Sequence, residues 1–417
     1  MMVLSNGIPN YGKRRWNDKD MRFLTAGESH GPGLVVIVEG LPRGVAVSRE
    51  AIARDLARRQ RVYGRGPRSQ SEPESFEVLS GLRGGRTTGA PVAVLLRHRR
   101  WETWRPILDP WEPAAAENFA PTPDLAGVDP FPTRPRPGHA DLAAAWKYGL
   151  SDLRDAIERA SARETAARTV AGALARAFLA HLGIAIGSYV SSIGRVEIEE
   201  MPPLEEALRA AEESPVRAAD RTVEARIMAA IDEARAGGDT LGGTFVVAAT
   251  GVPAGLGSYM AWDERLDARL AAAVMSIPSV KGVEIGEGFA LAALPGSEAH
   301  DPIHLEDGVI TRGRNRAGGL EGGLSNGQPI LVRAAVKPVP TLYRPLPSID
   351  LKSGEPASAA VERSDTCVVP AAAVVGEAMV AWTIAEAVLE KFGRDTLREV
   401  ERALAAYRAD RPWRTDG

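Results

Sequence analysis

An α+β fold is what this sequence predicts, and three observations carry it. Strand-like and helix-like segments follow one another in mixed order, without the regular βα alternation of a doubly wound sheet. Most apolar runs are short and bounded by glycine and proline, as strands are. Two stretches, residues 151–182 and about 371–389, are instead long enough and suitably spaced for helices.

Taken in order, the first twenty residues are polar and irregular, and a cleaner pattern begins at Met21. Arg22–Ala26 and Leu34–Glu39 read as strands separated by a Gly/Pro turn. Ser48 is placed to cap a helix running to about Arg59. Phe76–Ser80 and Pro91–Leu96 read as further strands. Pro106–Pro137 is Pro-rich with isolated aromatics, either a functional loop or a surface excursion. Ser151–Leu182 reads as helix, with Leu153 and Ile157, then Leu174 and Phe178, at helical spacing. Ser161-Ala-Arg-Glu164 inside it matches a capping box, so the helix can restart there and turn free N–H groups toward an anion. A polar helical segment at Leu204–Ala236, a strand at Gly243–Thr250, a helix at about Glu264–Met275 and a strand at Ile330–Val336 follow. A buried or amphipathic helix near the end carries Glu377 and Glu386, which argue against a membrane span.

Composition narrows the function. The chain has 417 residues, 44% hydrophobic and 25% charged, as expected of a soluble globular protein. Its net charge of −3 lacks the basic excess of a bulk nucleic-acid binder. One cysteine, Cys367, permits no intrachain disulfide and fits a reducing, cytoplasmic compartment. No apolar stretch follows Lys13, Arg14 and Arg15, so residues 1–20 do not read as a secretory signal. Arginine far outnumbers lysine; its planar fork suits carboxylates and phosphates, although most such residues simply face solvent.

Six short segments hold the chemistry-bearing residues. Gly27-Glu-Ser-His-Gly31 matches the G-x-S-x-G nucleophile pattern, yet a Pro-Gly turn and a strand follow where a hydrolase needs a helix. A tight loop presenting Ser29 and His30 to a ligand is the better reading. Arg58 through Arg68 brings cations off a helix end into a glycine loop, either a solvated C-terminus or an oxyanion clamp. Arg134-Pro-Arg136-Pro-Gly-His139-Ala-Asp141 holds a histidine able to move protons near neutral pH. Arg159 and Arg163 have the spacing of one helix face, with surface pairing to Glu158 and Glu164 as the alternative. Lys337-Pro-Val-Pro-Thr341 and Glu362-Arg-Ser-Asp365 are shorter. There is no Walker A loop, and His300 and His304, split by Pro302, do not make a zinc site.

Together these segments resemble the signature segments of the chorismate synthase family. Lys281–Gly286, Gly318–Gly323 and Asp239–Gly243 with Gly255–Tyr259 extend the likeness over about Met21–Arg394. The resemblance implies one large domain, residues 21–400, with helices sandwiched between antiparallel sheets, flanked by an irregular extension (1–20) and a C-terminal tail (401–417). It implies a homotetramer that converts 5-enolpyruvylshikimate 3-phosphate to chorismate and phosphate. That reaction is a 1,4-anti elimination requiring reduced FMN without net redox change. NADPH or an external flavin reductase would supply the reduced flavin. By position, His30 would protonate the leaving phosphate, His139 would stabilise anionic reduced flavin, and Asp365 would assist removal of the C6 proton. Ser29, Arg59, Arg65, Arg68, Arg136, Arg163 and Arg363 would bind substrate. The flavin contacts would fall on Arg159, Ala160, Ser161, Ser279, Gly322, Lys337, Pro338, Val339, Pro340, Thr341 and Arg363. Ser69, His98, Arg100, Pro278 and Ser279 depart from the family's frequent residues. The rival readings are an Arg-rich anion or nucleic-acid binding module and a serine hydrolase using Ser29.

Overall fold

The computed structural model describes residues 21–66, 74–113, 119, 125, 129–306 and 309–410. Residues 1–20, Arg68, Ser69 and much of the Pro-rich segment therefore lie outside the described residues. Two antiparallel sheets face each other across a layer of helices. The first contains β1 (Arg22–Ala26), β2 (Gly33–Glu39), β3 (Ser75–Ser80) and β4 (Val92–Arg97) in the order β1-β2-β4-β3. The second contains β5 (Ala185–Ile193), β6 (Val196–Glu197), β7 (Gly243–Thr250), β8 (Val280–Ile285) and β9 (Ile330–Val336) in the order β8-β9-β7-β5-β6. Register follows the period of two: Leu34 pairs with Leu96, Val36 with Val94 and Val38 with Val92, and all six are buried. The alternate residues Leu24 and Ile37 pair on the outer face and are exposed.

The helices that build the core and the site are α1 (Arg49–Gln60), α2 (Trp101–Leu108), α3 (Arg154–Arg159), α4 (Thr165–His181) and α5 (Val369–Phe392). Shorter helices cover Leu204–Glu213, Glu224–Ala236 and Leu266–Met275. α5 is buried on almost every side, because it lies between the two sheets and against α4. Its apolar length would suffice to cross a membrane, but 94% of its most apolar window is buried inside the protein. Two glycines let it sit so deep. A Cβ on Gly172 of α4 would fall 2.2 Å from the Ala378 Cβ, and one on Gly376 would fall 2.7 Å from the Phe245 ring of β7. Toward the first sheet, Phe23 meets Trp382 edge-on with ring centroids 4.7 Å apart.

Several expectations are corrected. The helical stretch at Ser151–Leu182 does restart at Ser161, whose backbone is extended (φ −63°, ψ 138°), but the capping box read there is incomplete. Ser161 Oγ accepts the Arg163 N–H at 3.3 Å, but the reciprocal half of a capping box is absent. Glu164 instead accepts from Thr25 at 2.7 Å and from Arg168 at 2.8 Å. The start of the Pro-rich region is helical, with Pro106 tolerated inside α2. The single polar helix expected at 204–236 is two helices joined by a 3-10 turn. A helix at Leu397–Ala409 runs through residue 400, where the C-terminal tail was placed. Ser48 does cap α1, accepting the Ala51 N–H at 3.2 Å.

Candidate active site

A cavity of about 800 Å³ opens between α1, the break before α4, the Arg134–Asp141 loop and the segments 337–341 and 362–365. Its walls bring together Ser29, His30, Arg59, Arg65, Arg136, His139, Ala160, Ser161, Arg163, Ser279, Lys337, Val339, Pro340, Thr341, Arg363 and Asp365. One flank is apolar, with Ile277, Val339, Ala371, Ala372 and Val375.

The two histidines are each held by a buried carboxylate. His30 sits on the Gly27–Gly31 loop, where its Nδ1 lies 3.0 and 3.1 Å from the two oxygens of Glu158. The His30 backbone N–H donates to Glu158 at 2.8 Å, and the Ser29 N–H donates to the Glu158 carbonyl at 3.2 Å. Burial pushes the Glu158 carboxyl up, but the hydrogen bond and charge of His30 and the charge of Arg154 outweigh it and hold it below its ordinary value. Ser161 Oγ donates to Ser29 Oγ at 3.1 Å. His139 bonds Asp141 through Nδ1. Arg136 reaches Asp141 at 2.8 Å through Nε and Thr341 Oγ1 at 2.9 Å through Nη1. Burial would raise the Asp141 carboxyl, yet His139 and Arg136 pull it well below the carboxylate range.

The cations crowd one another. Arg59 is only 2% exposed and donates to the neutral oxygens of Thr165 and Ala162, each at 2.9 Å. Burial first, then the charge of Arg65, pulls its pKa down to about 9. Arg163 pairs with Glu74 at 2.8 Å, and Arg65 with Asp365 at 3.5 Å. Asp365 also accepts the Gly66 N–H at 2.8 Å. Lys337 donates to the Gly138 carbonyl, linking the two flanking loops; burial, then Lys281, lowers its pKa. Ser279 adopts a left-handed φ of 72° and accepts the Lys337 N–H at 2.9 Å.

Other predicted residues fall elsewhere. Arg159 and Arg163 do not share a face, because the helix ends between them; Arg159 turns out to Thr25. Arg58 faces away from the cavity, toward a buried Glu377. Gly322 lies in the Leu320–Ser325 hairpin, and neither it nor Pro338 lines the cavity. His98, Arg99 and Arg100 also line it. Burial, then Arg163 and His30, lowers the His98 pKa to about 4. Sequence reasoning missed Glu158, expected on the surface but fully buried, and Trp104, which stacks on His30 with centroids 3.9 Å apart. The only local signal for Glu158 was its i, i+4 spacing from Arg154.

Such a cavity, rich in fixed cations and holding two carboxylate-anchored histidines beside an apolar wall, defines an enzyme site for a small, multiply anionic molecule. A family model described as chorismate synthase matches residues 21–389. A chorismate synthase of Moorella thermoacetica is 54% identical over 93% of this chain and 98% of the relative. One of Leifsonia xyli is 52% identical over 93% and 95%. A crystal structure of chorismate synthase superposes with a TM-score of 0.74 at 39% identity, covering 93% of this chain and 97% of the other. The chain belongs to the chorismate synthase family, and its enzymatic class is that of a lyase.

Proposed function

We propose that this cavity converts 5-enolpyruvylshikimate 3-phosphate to chorismate and phosphate by 1,4-anti elimination, with reduced FMN bound alongside. The observation that carries the reading is the convergence of Arg59, Arg65, Arg136, Arg163, Arg363 and Lys337 with His30 and His139 in one cavity. The substrate carries a phosphate and two carboxylates, and fixed guanidinium groups match all three bidentately. Because these cations are preorganised, they stabilise charge as it develops on the departing phosphate.

His30 Nδ1 faces Glu158, which leaves Nε2 as the nitrogen that donates a proton to the leaving group. Asp365 assists removal of the C6 proton. Ser29, tied to Ser161, helps seat the phosphate. Arg68, outside the described residues, joins the clamp by sequence position. The apolar flank fits a flat ring system, and His139, Lys337, Ser279 and the 337–341 backbone fit its polar edge. Arg159 and Gly322, which do not line the cavity, are left out of this assignment. Reduced FMN, when bound, would supply electron density for C–O cleavage with no net redox change. The chain's own groups bind, orient, and exclude water.

The same reading makes the enzyme a cytoplasmic homotetramer served by an external flavin reductase. The unpaired thiol of Cys367 supports the compartment, and exposed Tyr259, Met260 and Trp262 support assembly with further copies. The test is anaerobic: protein, substrate and chemically reduced FMN, with chorismate absorbance and phosphate followed together. Equal appearance of both, only with reduced FMN, is expected. Folded, flavin-bound protein that yields neither overturns the assignment. Turnover with NADPH and oxidised FMN would place the reductase activity in this chain.

A further inference from the structure

The residues that hold His30 form a closed circuit, and of its four members only His30 itself lines the cavity. Arg154 is 3% exposed and does not line the cavity wall. Its Nη1 donates to Glu158 Oε1 at 3.2 Å, the same oxygen that lies 3.0 Å from His30 Nδ1. Its guanidinium carbon lies 5.5 Å from the centroid of Trp104, and Trp104 stacks on the His30 ring at 3.9 Å with 15° between planes. Both groups that clamp the imidazole are thus themselves held by Arg154. Its Nη2 also donates to Glu362 Oε1 at 3.1 Å, on the segment that carries Arg363 and Asp365. Carbonyls of Asp129 and Pro130 take further donors.

We infer that Arg154 and Glu158 are positioning residues that fix the tautomer and orientation of His30 and tie it to the 362–365 segment on the far side of the cavity. A carboxylate can only accept, so the proton of neutral His30 sits on Nδ1 and Nε2 points its lone pair, or in the charged ring its N–H, away from Glu158. Glu158 fixes the tautomer; Arg154 keeps its carboxylate ionised and aimed while it is wholly buried. Trp104 blocks one face of the ring and leaves it little freedom to rotate. Because Arg154 also holds Glu362, a shift of the 362–365 segment is felt at His30. This is the arrangement by which a third group orients a base or acid it does not replace. The inference rests on the proposed role of His30, but its structural half can be measured without turnover.

The test uses the full chain with Glu158→Leu, Arg154→Met and Arg154→Lys. Two readouts are taken: steady-state kinetics with reduced FMN, and ¹⁵N NMR of the His30 ring at a pH where it is neutral, assigned through His30→Gln. Expected for Glu158→Leu and Arg154→Met is a fall in kcat of about 10- to 10³-fold with KM changed less than about threefold. The ring should pass from a single Nδ1–H tautomer to a mixture. Arg154→Lys should recover most of the rate and the single tautomer. An unchanged tautomer in Glu158→Leu overturns the inference, whatever the rate does. A rate loss in Arg154→Met with His30 unmoved assigns Arg154 a merely structural role and also overturns it. Should Arg154→Met fail to fold, Glu362→Gln cuts the link to the far segment, and unaltered kcat there removes that half of the claim. If the wild type shows no turnover, the function fails while the tautomer result still decides the positioning.

Discussion

Arg58 and Arg59 are neighbours on one helix and live in opposite electrostatic worlds. Arg58 donates to both oxygens of buried Glu377, at 2.7 and 2.8 Å, and to Glu212 at 2.9 Å. Arg176, Arg217 and Ser188 converge on the same Glu377 carboxylate, at 2.8, 3.1 and 2.7 Å. Burial would lower the Arg58 pKa, but Glu377 and Glu212 raise it beyond its ordinary value. Arg59 meets neutral oxygens and other cations, and its pKa is drawn down to about 9 by burial and Arg65. A complete set of counter-charges makes the first cluster a piece of architecture. An incomplete set makes the second a receptor, because an arriving anion supplies what the fold withholds.

The largest test of that contrast is Glu377→Ala. It leaves three arginines around a buried hole, and a stability loss of about 3–5 kcal/mol is expected in chemical denaturation. A loss under about 1 kcal/mol would dissolve the distinction. Arg59→Gln should do the reverse: kcat/KM falls by about 10²–10³-fold, while the denaturation midpoint holds or rises, since like-charge repulsion is relieved. A parallel loss of stability and rate would return Arg59 to the structural class. Acid sharpens the contrast further. Burial pushes Glu377 up, but Arg58, Arg217 and Arg176 depress it overall, so its stabilisation is present above the unfolded carboxyl pKa of about 4.3 and is lost as pH falls below that value through the folded one. Glu377→Gln should therefore flatten the acid limb of a stability–pH profile between about pH 5 and pH 2. The smallest effect is expected from inorganic phosphate. At tenfold over its Kd it should stabilise the wild type by about 1.4 kcal/mol, read as a rise in Tm, with less in Arg59→Gln and the full shift in an Arg54→Gln control.

Which arginine belonged to which cluster could not be seen in the sequence. Adjacent helical residues differ by about a third of a turn, and the phase is set only when Ile52 and Leu56 are known to face the core. What was legible was local. The Gly27–Gly31 and Arg136–Asp141 loops keep their chemistry within a few residues, so composition and glycine placement expose them. Strand limits at 243–250 and 330–336 were readable because both strands are apolar and sharply bounded. Glu158 was misread as a surface residue because its partner is 128 positions away in the chain. Trp104 was hidden for the same reason, whereas the restart at Ser161 was readable because its capping residues are neighbours in the chain.

The burial of α5 has a consequence for how the chain is made. The helix at Val369–Phe392 fills the space between two sheets whose strands all precede it in the sequence. During synthesis α4 follows the first sheet and can cover it, but the second sheet emerges with the face that α5 packs against open, and α5 arrives among the last. Nearly every contact α5 makes closes a long loop, which slows folding and lengthens the time apolar strands stand open. This protein should therefore depend on holding chaperones until α5 has left the ribosome.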